Sequence, residues 1–419
     1  RTPARLGRAG VKERRVQMRS APMLDFPLDE FEQRLGKLFD TLERTDCAAV
    51  LLTNVENLRY YCNFRTSAWN SEFLSPAMLV VARSGGIALV TSPRMKATAL
   101  ATCCLDESDI LTFDGFGEAA TPEVLVPSIV STLEKLGTTS GKLGAEIGPM
   151  TRMRITYNDH ADLFKALPNM EPADLSMDIL ALRQVKSPRE IDIMRKNCHI
   201  AVDAFKAAVD MVVLGETTEE DFYHNFAATC FDLGADDFQL RLVVEFGPDR
   251  QQPNSVAGTR VYSDPDWCIY ADTGPSLHGY ISDMIRIAKL KPPTKPQREL
   301  YDIVHGCHEK LIPMVKPGLK IGELVKAQDA YMRAHGVDDI CLSRSVSGHG
   351  LGQDVHEMPV IQQAYSDWEF KVGTVFAFEP TLIHPEHGQI VLENNYLVTE
   401  NGCENLTPQL QDIYVPGLS

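Results

Sequence analysis

Several absences narrow the reading of this 419-residue chain before any residue is singled out. No apolar run approaches the about 18 residues that cross a bilayer, so no membrane-spanning helix is expected. The ten cysteines (Cys47, Cys62, Cys103, Cys104, Cys198, Cys230, Cys268, Cys307, Cys341 and Cys403) form no CxxC pair. That excludes a zinc ribbon and fits free thiols in a reducing compartment, the cytoplasm, better than a disulfide framework. Positive charge is scarce, with 41 Lys and Arg against 57 Asp and Glu and a net charge of −16. Such a surface argues against nucleic acid or an anionic membrane as partner and leaves a small-molecule substrate. No GxSxG elbow supports a serine nucleophile. His308-Glu309 is followed by Ile312 where a zincin helix needs its second histidine. The glycines around His349 lack the strand-then-helix frame of a phosphate loop. No repeat or low-complexity tract is present.

Basic residues concentrate at the start, where Arg1, Arg5, Arg8, Lys12, Arg14, Arg15 and Arg19 face only Glu13. No apolar core follows, so residues 1–27 are expected to be a disordered basic tail, with a tag remnant or a targeting segment as alternatives. Beyond them, apolar spacing at Phe31, Leu35, Leu38 and Phe39 predicts a helix over 29–45, and Ala48-Ala49-Val50-Leu51-Leu52 a buried strand. Ser84-Gly85 between two apolar runs predicts a hairpin. Alternating helices and strands up to about residue 165 indicate a self-contained α/β domain, 28–168, with Pro168 and Pro172 in a connector. A second domain, 180–419, opens with a long amphipathic helix from Ser187-Pro188-Arg189-Glu190 that carries Ile191, Met194, Cys198, Val202 and Phe205 on one face. Residues 291–296 read as a loop within it.

The chemistry lies in that second domain. In Ser347-Gly348-His349-Gly350-Leu351-Gly352-Gln353-Asp354-Val355-His356-Glu357-Met358-Pro359, glycines on both sides of His349 permit close backbone approach. Residues 267–272 read as a strand ending at Asp272, and 279–287 as the next strand, with Asp283 on the face of Ile281, Ile285 and Ile287. A carboxylate in an apolar row is unfavourable unless a cation or donors satisfy it. Glu379 ends the apolar run from Val375, and Glu393 shares a face with Val391. Singly, each is as well read as a strand-end acid. Together with one imidazole they suit a pair of divalent ions, manganese, cobalt or iron, with zinc also compatible.

Asp272, Asp283, His349, Glu379 and Glu393 resemble, in type, order and spacing, the five metal ligands of the pita-bread superfamily of creatinase, prolidase and aminopeptidase P. The aspartates stand eleven apart and the glutamates fourteen, as in prolidases. The phrases Arg183-Gln184-Val185-Lys186-Ser187-Pro188, Val398-Thr399-Glu400-Asn401-Gly402 and Thr53-Asn54-Val55-Glu56-Asn57 are similar to the same family. The resemblance implies an α+β protein: a small α/β creatinase-type amino-terminal domain, then a curved antiparallel sheet flanked by helices, in a homodimer. It implies a dinuclear metal-dependent hydrolase, with Asp283 and Glu393 bridging two ions, Asp272 on one, and His349 and Glu379 on the other. A metal-bridging hydroxide would attack a C–N bond in a small amide, amidine or Xaa-Pro-type substrate. Glu379 would pass the proton to the leaving group and His356 would hold the carbonyl or tetrahedral intermediate.

The sequence departs from the peptidases at three places. Asn254 stands where they carry a Pro-His histidine, Ser345 where a second histidine precedes the ligand, and Val391 where an arginine precedes the last glutamate. A rebuilt substrate pocket follows, with Asn254, His278, Arg344 and Trp69 as candidate contacts and Trp69 suited to a cationic group. Within the superfamily such rebuilding is known in ectoine hydrolase and a dimethylsulfoniopropionate lyase. A metal-dependent lyase acting on a small osmolyte is therefore the alternative activity, and a non-catalytic binding protein on the same fold is the third reading.

Overall fold

The structure is a computed structural model that describes residues 16–67, 77–113, 122–238, 243–247, 256–337 and 347–418. The chain divides into two compact units, Arg1–Leu182 and Arg183–Ser419.

In the first unit, α1 (Leu28–Arg44) buries Phe31, Leu35, Leu38 and Phe39, the stripe its spacing predicts. It leads to β1 (Cys47–Leu52) and α2 (Val55–Cys62). The expected hairpin is β2 (Met78–Ala82) and β3 (Ile87–Thr91), antiparallel with Val81 opposite Ile87 and closed through Gly85 at φ +108°. Then follow α3 (Lys96–Thr102), β4 (Ile110–Thr112), α4 (Pro122–Lys135), β5 (Gly141–Ala145), α5 (Tyr157–Ala166), β6 (Met170–Asp174) and α6 (Ser176–Gln184), whose last two residues already belong to the second unit. The six strands form one mixed sheet in the order β4-β3-β2-β1-β5-β6. Leu125, Ile129, Leu133 and Leu163 from α4 and α5 pack against Ala49, Leu51, Val80 and Val90 of the sheet. Pro172, expected in a connector, lies in β6, which among the described residues pairs only with β5. Proline is tolerated on such an edge, where its missing N–H faces no ladder partner. The basic segment is tied down in its last part, because the Arg19 backbone N–H donates to Cys104 O at 2.8 Å.

The second unit opens on α7 (Pro188–Asp210), whose start is the predicted one: Ser187 and Glu190 form a reciprocal capping box around Pro188. Next come α8 (Glu219–Asp232), β7 (Val243–Phe246), β8 (Ile269–Thr273), β9 (Ser276–Leu277), β10 (Tyr280–Ile281) and β11 (Met284–Ala288). The loop expected over 291–296 ends sooner, since α9 (Lys295–Leu311) starts after Thr294 with Pro296 in its first turn. Beyond it lie α10 (Ile321–Ala334), β12 (Gly348–Gly350), β13 (Glu357–Val360), β14 (Val375–Phe378), β15 (Thr381–His384), β16 (Gly388–Val391), β17 (Asn394–Thr399) and β18 (Gly402–Asn405).

A three-stranded antiparallel sheet, β11-β8-β7, and a five-stranded one, β13-β12-β14-β17-β18, form the floor. Helices α7 and α8 bury Phe205, Phe222 and Phe226 against the first. Helices α9 and α10 bury Val304, Leu311 and Leu324 against Phe376 and Phe378 of the second. Each such fully buried side chain contributes about 1.5–3 kcal/mol. This is the expected antiparallel sheet flanked by helices, and strand ends from both sheets carry the polar residues considered next. The nine described cysteines are free thiols. Among the described residues no helix is long and apolar enough to cross a membrane.

Candidate metal centre

Asp272 sits on β8 between Ile285 of β11 and Val243 of β7, so the ladder surrounds it with apolar neighbours. Asp283 does not continue a strand as its alternation suggested. It occupies the break between β10 and β11, because Asn395 takes its backbone groups out of the ladder. The Asp283 N–H donates to Asn395 Oδ1 at 3.1 Å, and Asn395 Nδ2 donates to the Asp283 carbonyl. Asn395 is fixed in turn by Thr407, whose Oγ1 accepts its N–H at 3.1 Å.

His349 is the centre of β12, opposite Ala377 of β14 and Val360 of β13. Its flanking glycines are required by crowding: a Cβ on Gly348 would overlap the Ala377 carbonyl, and one on Gly350 the Met358 carbonyl. The ring Nδ1 lies 3.1 Å from Gly350 O. A carbonyl only accepts, so Nδ1 carries the proton and Nε2 presents a lone pair to the acids. From Nε2 it is 3.5 Å to Asp283 Oδ2 and 3.9 Å to Glu379 Oε1. Glu379 follows β14 and is held by its N–H to Ser347 O at 3.0 Å; Glu393 precedes β17 and donates its N–H to Ile285 O at 3.2 Å. Ligand atoms of Asp283, His349 and Glu393 all lie within 4.8 Å of one another. Asp283, His349 and Glu393 thus meet, with Glu379 beside His349 and Asp272 on the adjoining strand β8.

Their electrostatics are those of a site short of positive charge. Burial pushes Asp272 up to about 6, against hydrogen bonds to Asp283 and Tyr270. Asp283 lies well above the carboxylate range through burial and then the neighbouring Asp272 and Glu379. Burial and Asp272 push Glu379 up to about 8. Glu393 is raised strongly by burial and by Asp283, Glu379 and Asp272, with only Arg286 opposing. Burial, then the ring of His356, lowers His349 to about 3. Asp283 Oδ1 and Glu393 Oε1 are buried without a hydrogen-bond partner among the described residues. Four acids, two orphaned oxygens and a neutral imidazole lone pair fit divalent cations with a preference for oxygen and nitrogen donors. Asp272 and Glu379 keep partial exposure, the Glu379 side chain 23%, so the cluster opens to solvent on their side.

His356 joins the cluster from the loop after β12. Its ring meets that of His349 edge to face, centroids 4.3 Å apart, while the residue itself reaches solvent. The buried Glu357 next to it organises this loop. Its Oε1 accepts the N–H groups of Gln353 (3.0 Å) and Asp354 (3.2 Å) and the Arg183 guanidinium, and its Oε2 accepts Lys186 Nζ at 2.9 Å. His278 sits at the tip of the β9–β10 hairpin with φ +50°, exposed, its N–H on Asp236 Oδ2 at 2.7 Å. That places it in a turn-forming role. Asn254, Arg344 and Trp69, with Ser345, lie outside the described residues. Val391 is buried in a small apolar cluster with Val243, Tyr270 and Ile285.

Sequence reasoning passed over Asn395, Arg286, Tyr270 and Gln389. Arg286 offered a signal, a cation in the apolar strand Met284-Ile285-Arg286-Ile287, the anomaly that marked the acids. It is fully buried, and its guanidinium donates to Glu393 O, to Asn394 Oδ1 at 2.9 Å and to Thr407 O at 3.0 Å. Arg286 thereby fixes the backbone that carries Glu393.

Comparison with known proteins agrees with this layout. Residues 192–400 match the model of metallopeptidase family M24, and residues 34–185 that of the creatinase/prolidase N-terminal domain. An Xaa-Pro dipeptidase of Pyrococcus furiosus is 30% identical over 249 residues, 58% of this chain and 69% of that protein. An uncharacterized peptidase of Bacillus subtilis, YqhT, is 25% identical over 387 residues, 91% of this chain and 99% of that one. Among solved structures, an X-Pro aminopeptidase of Thermotoga maritima superposes with a TM-score of 0.76 at 21% identity, covering 91% of this chain and 99% of that chain. A prolidase of Pyrococcus horikoshii gives 0.75 at 22%, covering 92% and 99%. At those identities the structural likeness speaks for the fold alone.

Proposed function

The chain belongs to metallopeptidase family M24, and from that membership we propose that it hydrolyses a carbon–nitrogen bond in a small amide, amidine or Xaa-Pro-type substrate at a two-metal site. The observation that carries this reading is the meeting of Asp272, Asp283, His349, Glu379 and Glu393 with two buried carboxylate oxygens left unpaired. These five would hold the ions, which supply acidification of water and polarisation of a carbonyl. Glu379, the partly exposed acid of the set, would take a proton and return it to the leaving nitrogen. His356 is lowered by burial, stays neutral at pH 7, and offers one ring N–H to a substrate oxygen from the solvent side of His349.

The test is amine release from a panel of Xaa-Pro dipeptides, small amides and amidines by protein loaded with Mn2+ or Co2+, beside Asp283→Ala. Turnover by the wild type and loss in the variant is the expected result. Metal bound, no amine from any substrate, and alkene released from dimethylsulfoniopropionate would replace hydrolysis by the lyase reading. A protein that takes up no divalent metal would refute both.

A further inference from the structure

His308 is a buried imidazole outside the metal centre. It lies on α9, 5% exposed, in the His308-Glu309 pair that lacks a zincin partner. Its Nε2 stands 2.7 Å from Leu392 O and its Nδ1 2.8 Å from the Tyr396 hydroxyl. A carbonyl only accepts, so Nε2 carries the proton and Nδ1 accepts from the phenol. Asn394 Nδ2 donates to the same phenol oxygen at 3.3 Å, which leaves the phenol proton to the ring. Burial lowers His308 to about 3, so the ring is neutral at pH 7.

Leu392 and Glu393 lie between β16 and β17, outside the register of both strands, so neither ladder fixes them. The peptide joining them is held by other groups. His308 donates to its carbonyl, and its N–H goes to Ile285 O at 3.2 Å. The next carbonyl, that of Glu393, accepts the Arg286 guanidinium at its Nη1. The His308 ring also meets Phe378, the residue before Glu379, edge to face with centroids 5.1 Å apart. One side chain thus contacts the residue preceding each of the two glutamates.

We propose that His308 is a positioning residue of the metal centre, whose Nε2–H locks the Leu392–Glu393 peptide and thereby the direction in which the Glu393 carboxylate enters the cluster. This rests on the two-metal reading above. An apolar side chain could fill the same space, but it could not answer a buried carbonyl that lies outside the ladders. Partners just outside a metal's ligands typically change affinity by about 10- to 100-fold, and one acting through the backbone belongs at the lower end.

The experiment uses the full chain, stripped of metal and titrated with Co2+ by calorimetry and visible absorption well below its melting temperature. His308→Gln and His308→Met are compared, since the two side chains match in length and only glutamine has an amide to donate to Leu392 O. The expected result is a Co2+ dissociation constant within about threefold of wild type in His308→Gln and raised about 10-fold or more in His308→Met. Wild-type affinity in His308→Met overturns the proposal. So does equal weakening in both variants, which makes the shape of the ring the cause and not its donor. Should His308→Met melt too early to titrate, His308→Asn decides, because its shorter amide keeps Tyr396 company without reaching Leu392 O. Binding about 10-fold weaker in it than in His308→Gln supports the proposal, and equal binding overturns it. Wild-type protein that fails to bind Co2+ refutes the two-metal reading itself, an outcome distinct from equal binding by wild type and variants.

Discussion

Glu357 is the residue whose removal has the most calculable consequence. Its side chain is 1% exposed, as is that of Lys186, and Arg183 is 4% exposed. Burial alone would raise this carboxyl. The Arg183 guanidinium and Lys186 ammonium outweigh burial and hold it at about 2, against an ordinary 4.5. At about 1.4 kcal/mol for each tenfold change in proton affinity, ionisation of Glu357 contributes on the order of 3 kcal/mol to the folded state. An independent estimate agrees: breaking a buried ion pair by removing one partner costs about 3–5 kcal/mol, because the other charge stays buried. Glu357→Gln should therefore lose about 3 kcal/mol at pH 7 in urea unfolding and melt roughly 6–12 °C lower, at about 2–4 °C per kcal/mol for a unit of this size. The folded value lies below the unfolded one, so the contribution is present above pH 4.5 and disappears as pH falls through about 2. Wild type and variant should converge over that interval. Adding Lys186→Met to Glu357→Gln should recover part of the loss by removing one of the two stranded cations. A deficit below about 1 kcal/mol at pH 7, or one that does not shrink on acidification, would show that the two cations do not neutralise Glu357 as described.

The metal cluster gives the opposite pH dependence. Folded Asp272 at about 6 and Glu379 at about 8 lie above their ordinary 3.8 and 4.5, so metal-free protein should be most stable when they are protonated. Its melting temperature should fall as pH rises through those values, and saturating Mn2+ should flatten the slope; a rise with pH in the metal-free protein would contradict the clustering. Metal binding at pH 7 should release protons, seen as a calorimetric heat that varies with buffer ionisation enthalpy. His356→Ala should lower kcat by about 10²-fold or more on any substrate the panel identifies, with Co2+ affinity unchanged; equal loss of metal would make it a structural residue instead. Gly350→Ala drives a methyl into the Met358 carbonyl, and strand displacement should lower stability by about 1–3 kcal/mol and weaken metal binding with it; a wild-type melting curve would refute that crowding.

What the amino-acid sequence determined by itself follows from local periodicity and from chemical anomaly. Helix α7 was legible because Ser187, Pro188 and Glu190 are a start signal whose effect is confined to one turn. The β2–β3 hairpin was legible because its partners are neighbours in the chain. Asp272, Asp283, His349, Glu379 and Glu393 stood out because polar groups in apolar strands must be answered by something, and their spacing resembled a known ligand set. Other features had no local signal. Asp283 ends up in a break between strands because Asn395, 112 positions later, captures its backbone. Arg183 and Lys186 acquired a use only when folding set them on Glu357, more than 170 positions away. Tyr270 and Gln389 look like ordinary strand residues until two strands distant in sequence bring hydroxyl and amide to 2.9 Å. Local pattern reports which groups need partners. Only the tertiary structure supplies those partners, because a hydrogen bond or ion pair is decided by distance in space, and here the distances were set by sheets whose strands come from widely separated parts of the chain.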